Sequence, residues 1–376
     1  MAGVRNISQG DEKIIGIELL RFASALAVLV FHYQHLAFVG TRLPPDFVRE
    51  AQPFYPWLKL WYVNGFYGVQ VFWCISGFIF YWKYGKSIAE RGISAWRFSA
   101  LRFSRLYPLH IVTLLFVAAM QVLYHASHGD TFIYSNNDPY HFILQLAMAS
   151  NWSQTSESFN GPIWSISVEV LVYAVFFVTL RYISGSALFL GAMALGAALV
   201  QITGLSVHPV YPCIMFFYLG CLTAWVYGRQ AESQRRSAIA TAGAAALAAV
   251  ALLWMVLHGM QPKTFLVLFT PALILLCVKL VPDIQAITRW LVPAGNMTYS
   301  SYLLHVPLQI TAVTICAYAG WHMPFYSPAC FLTFMAVTLF FSYWSYRLLE
   351  MPAQSRLRKL LLRSKAPVLA RSPNPT

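Results

Sequence analysis

Ten runs of apolar residues fall at 14–36, 63–82, 106–124, 163–183, 185–203, 209–228, 237–258, 264–281, 297–319 and 327–348. Each is close to the ~20 residues a helix needs to cross a bilayer. In hydrocarbon no water is present to satisfy backbone N–H and C=O groups, so runs of this length fold as helices. The rest of the chain agrees. Of its 376 residues 58% are hydrophobic and 10% charged, and the mean hydropathy is +0.57, whereas a soluble domain carries about 25% charged residues. The sequence therefore predicts an all-α integral membrane protein with about ten transmembrane helices and both termini cytoplasmic. One domain is expected over 1–365, followed by a polar, Pro-rich disordered tail at 366–376. The first run is a poor cleavable signal, because Arg21 interrupts it and no A-x-A-like site follows.

Basic residues set the orientation. With the N-terminus inside, only Arg42, Arg49, Lys59 and Lys263 of the 26 Lys and Arg fall outside. That is the bias the positive-inside rule describes. It also accounts for the net charge of +13 without nucleic acid. The short run HFILQLAMAS at 141–150 would reverse the basic C-terminal end if it crossed, so a re-entrant or interfacial segment is expected there. It lies in an outer loop, 125–162, that has no Lys or Arg. The six cysteines lack C-x-x-C spacing and read as small packing residues, not as a metal site or disulfide framework.

The first run is loaded with polar groups: IELLRFASALAVLVFHYQHL carries Glu18, Arg21, His32 and His35. Positions 18, 21, 25, 28, 32 and 35 form one stripe on a helix. Arg21 and His32 are nearly eclipsed and separated by roughly 16 Å along the axis. Such groups in lipid need a wet or protein-lined partner surface.

Two other runs offer one. In GPIWSISVEVLVYAVFF, Ser165, Glu169 and Tyr173 share a face, and Glu169 should lie about 10 Å deep from the outer side, near the level of His32. In NMTYSSYLLHVPLQ, Ser301, His305 and Gln309 share a face, with Pro307 loosening the local ladder. At the inner side Arg102 and Arg105 stand at i, i+3 where the third run begins, and paired Arg forks suit phosphate oxygens. Ser76-Gly77 is small enough for close approach of a helix or ligand. A polar-substrate transporter would also use intramembrane Arg, Glu and His, although transport does not require the Arg pair. Trp57, Trp61, Tyr62 and Trp152 fit an interfacial aromatic belt better than a sugar platform.

These stretches together resemble the membrane-bound acyltransferase 3 family, the multi-span O-acyltransferases that decorate bacterial glycans. The likeness runs nearly end to end: Arg21 and His32 spaced as Arg-x10-His, GVQVFWCISGF, Arg102-x-x-Arg105 followed by Tyr-Pro, IWSISVEV, TYSSYLLHVP and RLLEMP, in that order. The resemblance implies transfer of an acyl group, usually acetyl, from cytoplasmic acyl-CoA to a hydroxyl of an extracytoplasmic or lipid-linked saccharide. Acyl-CoA is then a donor substrate, with no permanently bound cofactor and no metal, and the setting is the bacterial inner membrane. Carried over, His32 is the catalytic residue, Arg21 its partner in the motif, and Arg102 and Arg105 the donor-side pair, with Ser76 beside the path. Glu169 and His305 are candidates to orient His32, and the residues do not choose between them. Some members append a soluble esterase-like domain. The present sequence stops soon after its last run, so transfer is expected to be completed by the helical bundle or by a separate protein.

Overall fold

The computed structural model describes residues 13–153, 157–230 and 233–363. The expected tail at 366–376 lies outside them. Among the described residues the architecture is helical, with nine helices or helix runs long and apolar enough to cross a membrane. In chain order the helices are α1 (Ile15–His32), α2 (Tyr55–Asn64), α3 (Gly68–Phe80), α4 (Lys86–Ala89), α5 (Ala95–His128), α6 (Pro139–Leu146), α7 (Ile163–Tyr182), α8 (Ala187–Ile202), α9 (Val210–Gln230), α10 (Gln234–His258), α11 (Pro262–Leu280), α12 (Gln285–Asn296), α13 (Thr298–Tyr318), α14 (Pro328–Ser345) and α15 (Met351–Arg363).

The fifth predicted run is the one that falls short. It becomes α8, an apolar helix of 16 residues, about 24 Å long by helix rise. The hydrocarbon core is ~30 Å thick, a mismatch a bilayer accommodates at modest cost. The run at 141–150 does not cross. Its helix, α6, has eight residues, starts at the Asp138 cap, and exposes Tyr140 and Ile143. The far end of α6 is pinned to the bundle, since Gln145 donates to Ser158 O at 2.5 Å and its own carbonyl is 2.7 Å from His110 Nε2.

Close crossings are built on glycine. A Cβ at Gly77 of α3 would meet the Phe217 carbonyl of α9, and one at Gly220 of α9 would meet the Cys74 carbonyl of α3. The two backbones therefore touch reciprocally, which is how small residues let membrane helices pack. Gly77 thus serves helix approach, one of the two roles expected for Ser76-Gly77. Gly65 and Gly68 likewise let the second span meet the Ala27 and Ser24 carbonyls of α1, and Gly16 admits Cys277 of α11. Beside the α3–α9 crossing an aromatic cluster fills the inner half of the bundle: Phe80 stacks on Tyr173 with centroids 4.2 Å apart and meets Phe98, Phe176 and Phe217 edge-on. Cys74, Cys213 and Cys221 are buried in this region, and all six cysteines are free.

α5 is the longest helix, 34 residues from its Ser94 cap to Gly129, whose φ of +70° turns the chain out of the helix. At roughly 51 Å it outruns the hydrocarbon core, so its first turns stand in the inner interface. There α15 packs along it, held by Trp96 Nε1 donating to Leu361 O at 3.0 Å.

Candidate active site

Four helices bring the predicted polar stripes together. α1 ends at His32 and tightens into a 3-10 turn, Tyr33–Ala37. The tighter turn carries His35 back towards His32, with ring centroids 4.8 Å apart. From α13, His305 stacks on His32 at 4.9 Å with planes 19° apart. One turn further along α13, Gln309 donates to the His32 carbonyl at 2.7 Å, adding a side-chain donor at the carbonyl where the 3-10 turn begins. Three imidazoles thus converge, and His32 Nδ1, His35 Nδ1 and His305 Nε2 are buried with no hydrogen-bond partner among the described residues. Buried polar atoms are normally satisfied, and these three nitrogens, grouped in one place, are free to meet a further polar group. His35, on the same predicted stripe as His32, belongs to it. Among the described residues no group of three or more His, Cys, Asp or Glu side chains, these histidines included, is placed to hold a metal ion.

Pro307 on α13 has no N–H, which leaves the Leu303 carbonyl without its helical donor. Asn160, fully buried in the outer loop, supplies one from Nδ2 at 3.1 Å. The loosened ladder next to His305 is therefore repaired from outside the helix.

Glu169 takes a different place from the one its depth suggested. Ser165 of α7 and Tyr302 of α13 meet hydroxyl to hydroxyl at 2.8 Å. The two helices run antiparallel, so Glu169, one turn inward of Ser165, lies inward of Tyr302 and away from His305. It borders the Ser76 and Tyr173 hydroxyls, and the charges that act on it are Arg102 and Arg21. The neighbours acting on His32 are His35 and His305. Of the two candidates to orient His32, His305 is the one in contact. Tyr302, with its ring centroid 6.1 Å from that of His305, stands between the carboxylate and the histidines.

Arg21 lies at the inner level, donating to Glu18 at 3.0 Å and to Thr298 Oγ1 at 3.1 Å. Arg102 and Arg105, expected to act as a pair, have unlike surroundings. Arg105 forms a 2.8 Å ion pair with buried Glu350, which also accepts from Ser300. Arg102 donates to Tyr84 OH at 2.6 Å and lies over the Phe80 and Tyr84 rings, with no carboxylate at ion-pair distance among the described residues. Arg358 of α15 lies close enough to both to feel their charge. Glu350 sits in the RLLEMP stretch, 245 residues from its partner. It is the acidic residue of that stretch, and that was the signal available for it.

Read from the inner side outward, the polar groups make a ladder: Arg102, Arg105 and Arg21 with Glu18 and Thr298, then Glu169 with Ser76 and Tyr173, then Ser165 with Tyr302, and finally the histidines. An apolar cavity of about 650 Å³ opens beside it between α5 and α7, lined from Ala95 to Trp152 and reaching Arg102 and Tyr173. The ladder has guanidinium groups at one end and imidazoles at the other.

The family model for an acyltransferase domain, that of acyltransferase 3, matches residues 14–347. Neither a curated protein nor a solved structure matched the chain. The match takes in α1 through α14 and every rung of the ladder, and the chain accordingly belongs to the acyltransferase 3 family, as a multi-span membrane acyltransferase that transfers groups other than amino-acyl groups.

Proposed function

We propose that the protein moves an acyl group, in the first instance acetyl, from cytoplasmic acyl-CoA to a hydroxyl of an extracytoplasmic or lipid-linked glycan at the bacterial inner membrane. The observation that carries this reading is the contact between His32 and His305 at the far end of a polar ladder whose near end is basic. The donor's phosphates favour the basic inner mouth. Its pantetheine arm is of a length to pass Arg21 and bring the thioester to the histidines, roughly 16 Å further along α1.

At that end His32 takes the proton of the acceptor hydroxyl as the oxygen attacks the thioester carbonyl. The C–S bond then breaks, the coenzyme A sulfur leaves as thiolate, and the imidazolium returns the proton to it. Direct transfer is preferred to an acyl-histidine intermediate because it needs one displacement instead of two. His305 holds the His32 ring against rotation by stacking, and Gln309 fixes the backbone beneath it. An acceptor carried on a lipid chain fits the apolar cavity between α5 and α7, whose lining includes Tyr173 beside Glu169.

The test is sided label transfer. Sealed vesicles bearing the protein receive acetyl-labelled acetyl-CoA on the cytoplasmic face, with label followed into lipid and glycan fractions. Label in a glycan or lipid-linked glycan fraction supports the proposal. Label confined to other lipids or small molecules would replace the acceptor class, and absence of both transfer and coenzyme A binding would remove the donor.

A further inference from the structure

We infer that Arg358 of α15 and Arg102 of α5 form one anion clamp at the inner mouth, seated for the phosphate oxygens of the donor, and that Arg105 stands outside it. The inference deepens the acyl-CoA reading above and rests on it for the identity of the anion.

Like charges are held together at the inner mouth. The charged side chains acting on Arg358 are Arg102 and Arg105, and the phenol of Tyr84, which receives a hydrogen bond from Arg102, also faces it. A carboxylate would normally be expected among such neighbours. Arg105 has one in Glu350, and its charge is spent there. Neither Arg102 nor Arg358 has an ion pair among the described residues. The Nε atoms of Arg102 and Arg358 are both buried and without a hydrogen-bond partner there. A buried guanidinium donor left unpaired is costly, and two of them in one place with mutual repulsion are more so.

The scaffold nonetheless holds them there. α15 is fastened to α5 through Trp96 and Leu361, and Arg102 is clamped between the Phe80 and Tyr84 rings. An anion with several oxygens, taken in a bidentate fork by each guanidinium, removes both the repulsion and the unpaired donors. A phosphate or diphosphate group has that geometry, and the ladder leading away from it towards Arg21 gives the remainder of the donor a path. Sequence spacing pointed to Arg102 with Arg105 because they share a helix. The fold instead supplies the second fork from a helix more than 250 residues later in the chain.

The test uses full-length protein in lipid nanodiscs and three probes: acetyl-CoA, S-acetylpantetheine, which lacks the nucleotide and diphosphate, and inorganic pyrophosphate. Arg358→Gln is expected to weaken acetyl-CoA and pyrophosphate about ten- to a hundredfold, the range of a charged hydrogen bond, and to leave S-acetylpantetheine unchanged. Arg356→Gln, an exposed arginine two residues earlier on the same helix, removes the same charge and is expected to change none of the three. Arg358→Lys keeps the stem and the charge but loses the fork, so it gives a smaller loss on the same two probes and serves if the Gln variant fails to fold.

Equal weakening of acetyl-CoA and S-acetylpantetheine would overturn the clamp, because a general disturbance of the bundle acts on both. So would wild-type affinity in the Arg358 variants, or an equal loss in Arg356→Gln. Pyrophosphate bound through Arg358 without any binding of acetyl-CoA by the wild type would keep the clamp and overturn the donor. Binding of none of the probes by the wild type would overturn both.

Discussion

His305 lies face to face with His32, their ring centroids 4.9 Å apart, while the carboxylate of Glu169 sits nearer the arginines. The His32 imidazole, the proposed proton acceptor, is thus backed by a second ring rather than by an acid. On this arrangement His305→Ala lowers the transfer rate by about 10²-fold, the lower end of what a positioned proton acceptor contributes, with little change in donor KM. Glu169→Gln acts differently: it removes a charge beside Arg21 and Arg102, so its effect falls on donor binding. Initial rates across donor concentrations separate the two. A KM effect for His305→Ala with an unchanged turnover would place that residue elsewhere in the cycle.

The two arginines of the third span differ in what they hold. Removing the carboxylate from Glu350, which is 1% exposed, leaves Arg105 as a partly buried unpaired charge. Breaking one side of a buried pair costs about 3 kcal/mol, so Glu350→Ala and Arg105→Ala each lower thermal stability, and the double variant loses less than their sum. Arg102→Gln loses donor affinity with a much smaller change in Tm. Denaturation in detergent with a donor titration on each variant checks both halves.

Asn160 and Pro307 form a pair of another kind. Asn160→Ala strands the Leu303 carbonyl and costs about 1 kcal/mol, typical of an interhelical hydrogen bond in a membrane protein. Pro307→Ala restores an N–H at position 307, which can reach that carbonyl within the helix. In the Pro307→Ala background the loss of Asn160 is therefore nearly neutral. A double-mutant cycle that came out additive would show that the carbonyl is not shared between them.

How far the sequence could be read follows from these cases. The apolar runs and the stripes on α1, α7 and α13 depend on local periodicity, and they appear as helices where they were expected, the fifth run alone shortening to the 16 residues of α8. Relations between helices depend on register, which periodicity does not carry. The Ser165–Tyr302 contact sets how far α7 slides along α13, and that offset moves Glu169 inward of His32's level. Arg105 finds Glu350 across 245 residues, so the evenly spaced arginines could not be told apart. His35 lies on the α1 stripe with His32, whereas the arrival of His305 from α13 depends on how the two helices meet.

The outer loop offers a pH test. Asp138 caps α6 by accepting from the His141 backbone N–H at 3.0 Å, and its other oxygen meets the His141 ring at 2.6 Å. Those interactions hold its carboxyl below the usual carboxylate range. A group whose folded pKa is depressed contributes stability that is present above its unfolded value, about 3.9 for Asp, and is lost as pH falls through the lower folded value. Amide exchange in α6 is therefore slow relative to an Asp138→Ala variant at pH 6, with the difference fading below about pH 4. A difference that stayed constant with pH would rule out the carboxylate as the cap.

The proposed transfer turns on His32. The direct measurement is label transfer from cytoplasmic acetyl-CoA in vesicles bearing either the wild type or His32→Ala, matched for folded protein and for bound coenzyme A. The proposed role of His32 requires label in the glycan fraction with the wild type and none above background with His32→Ala, at equal donor binding. Transfer by His32→Ala at a rate near that of the wild type would contradict it.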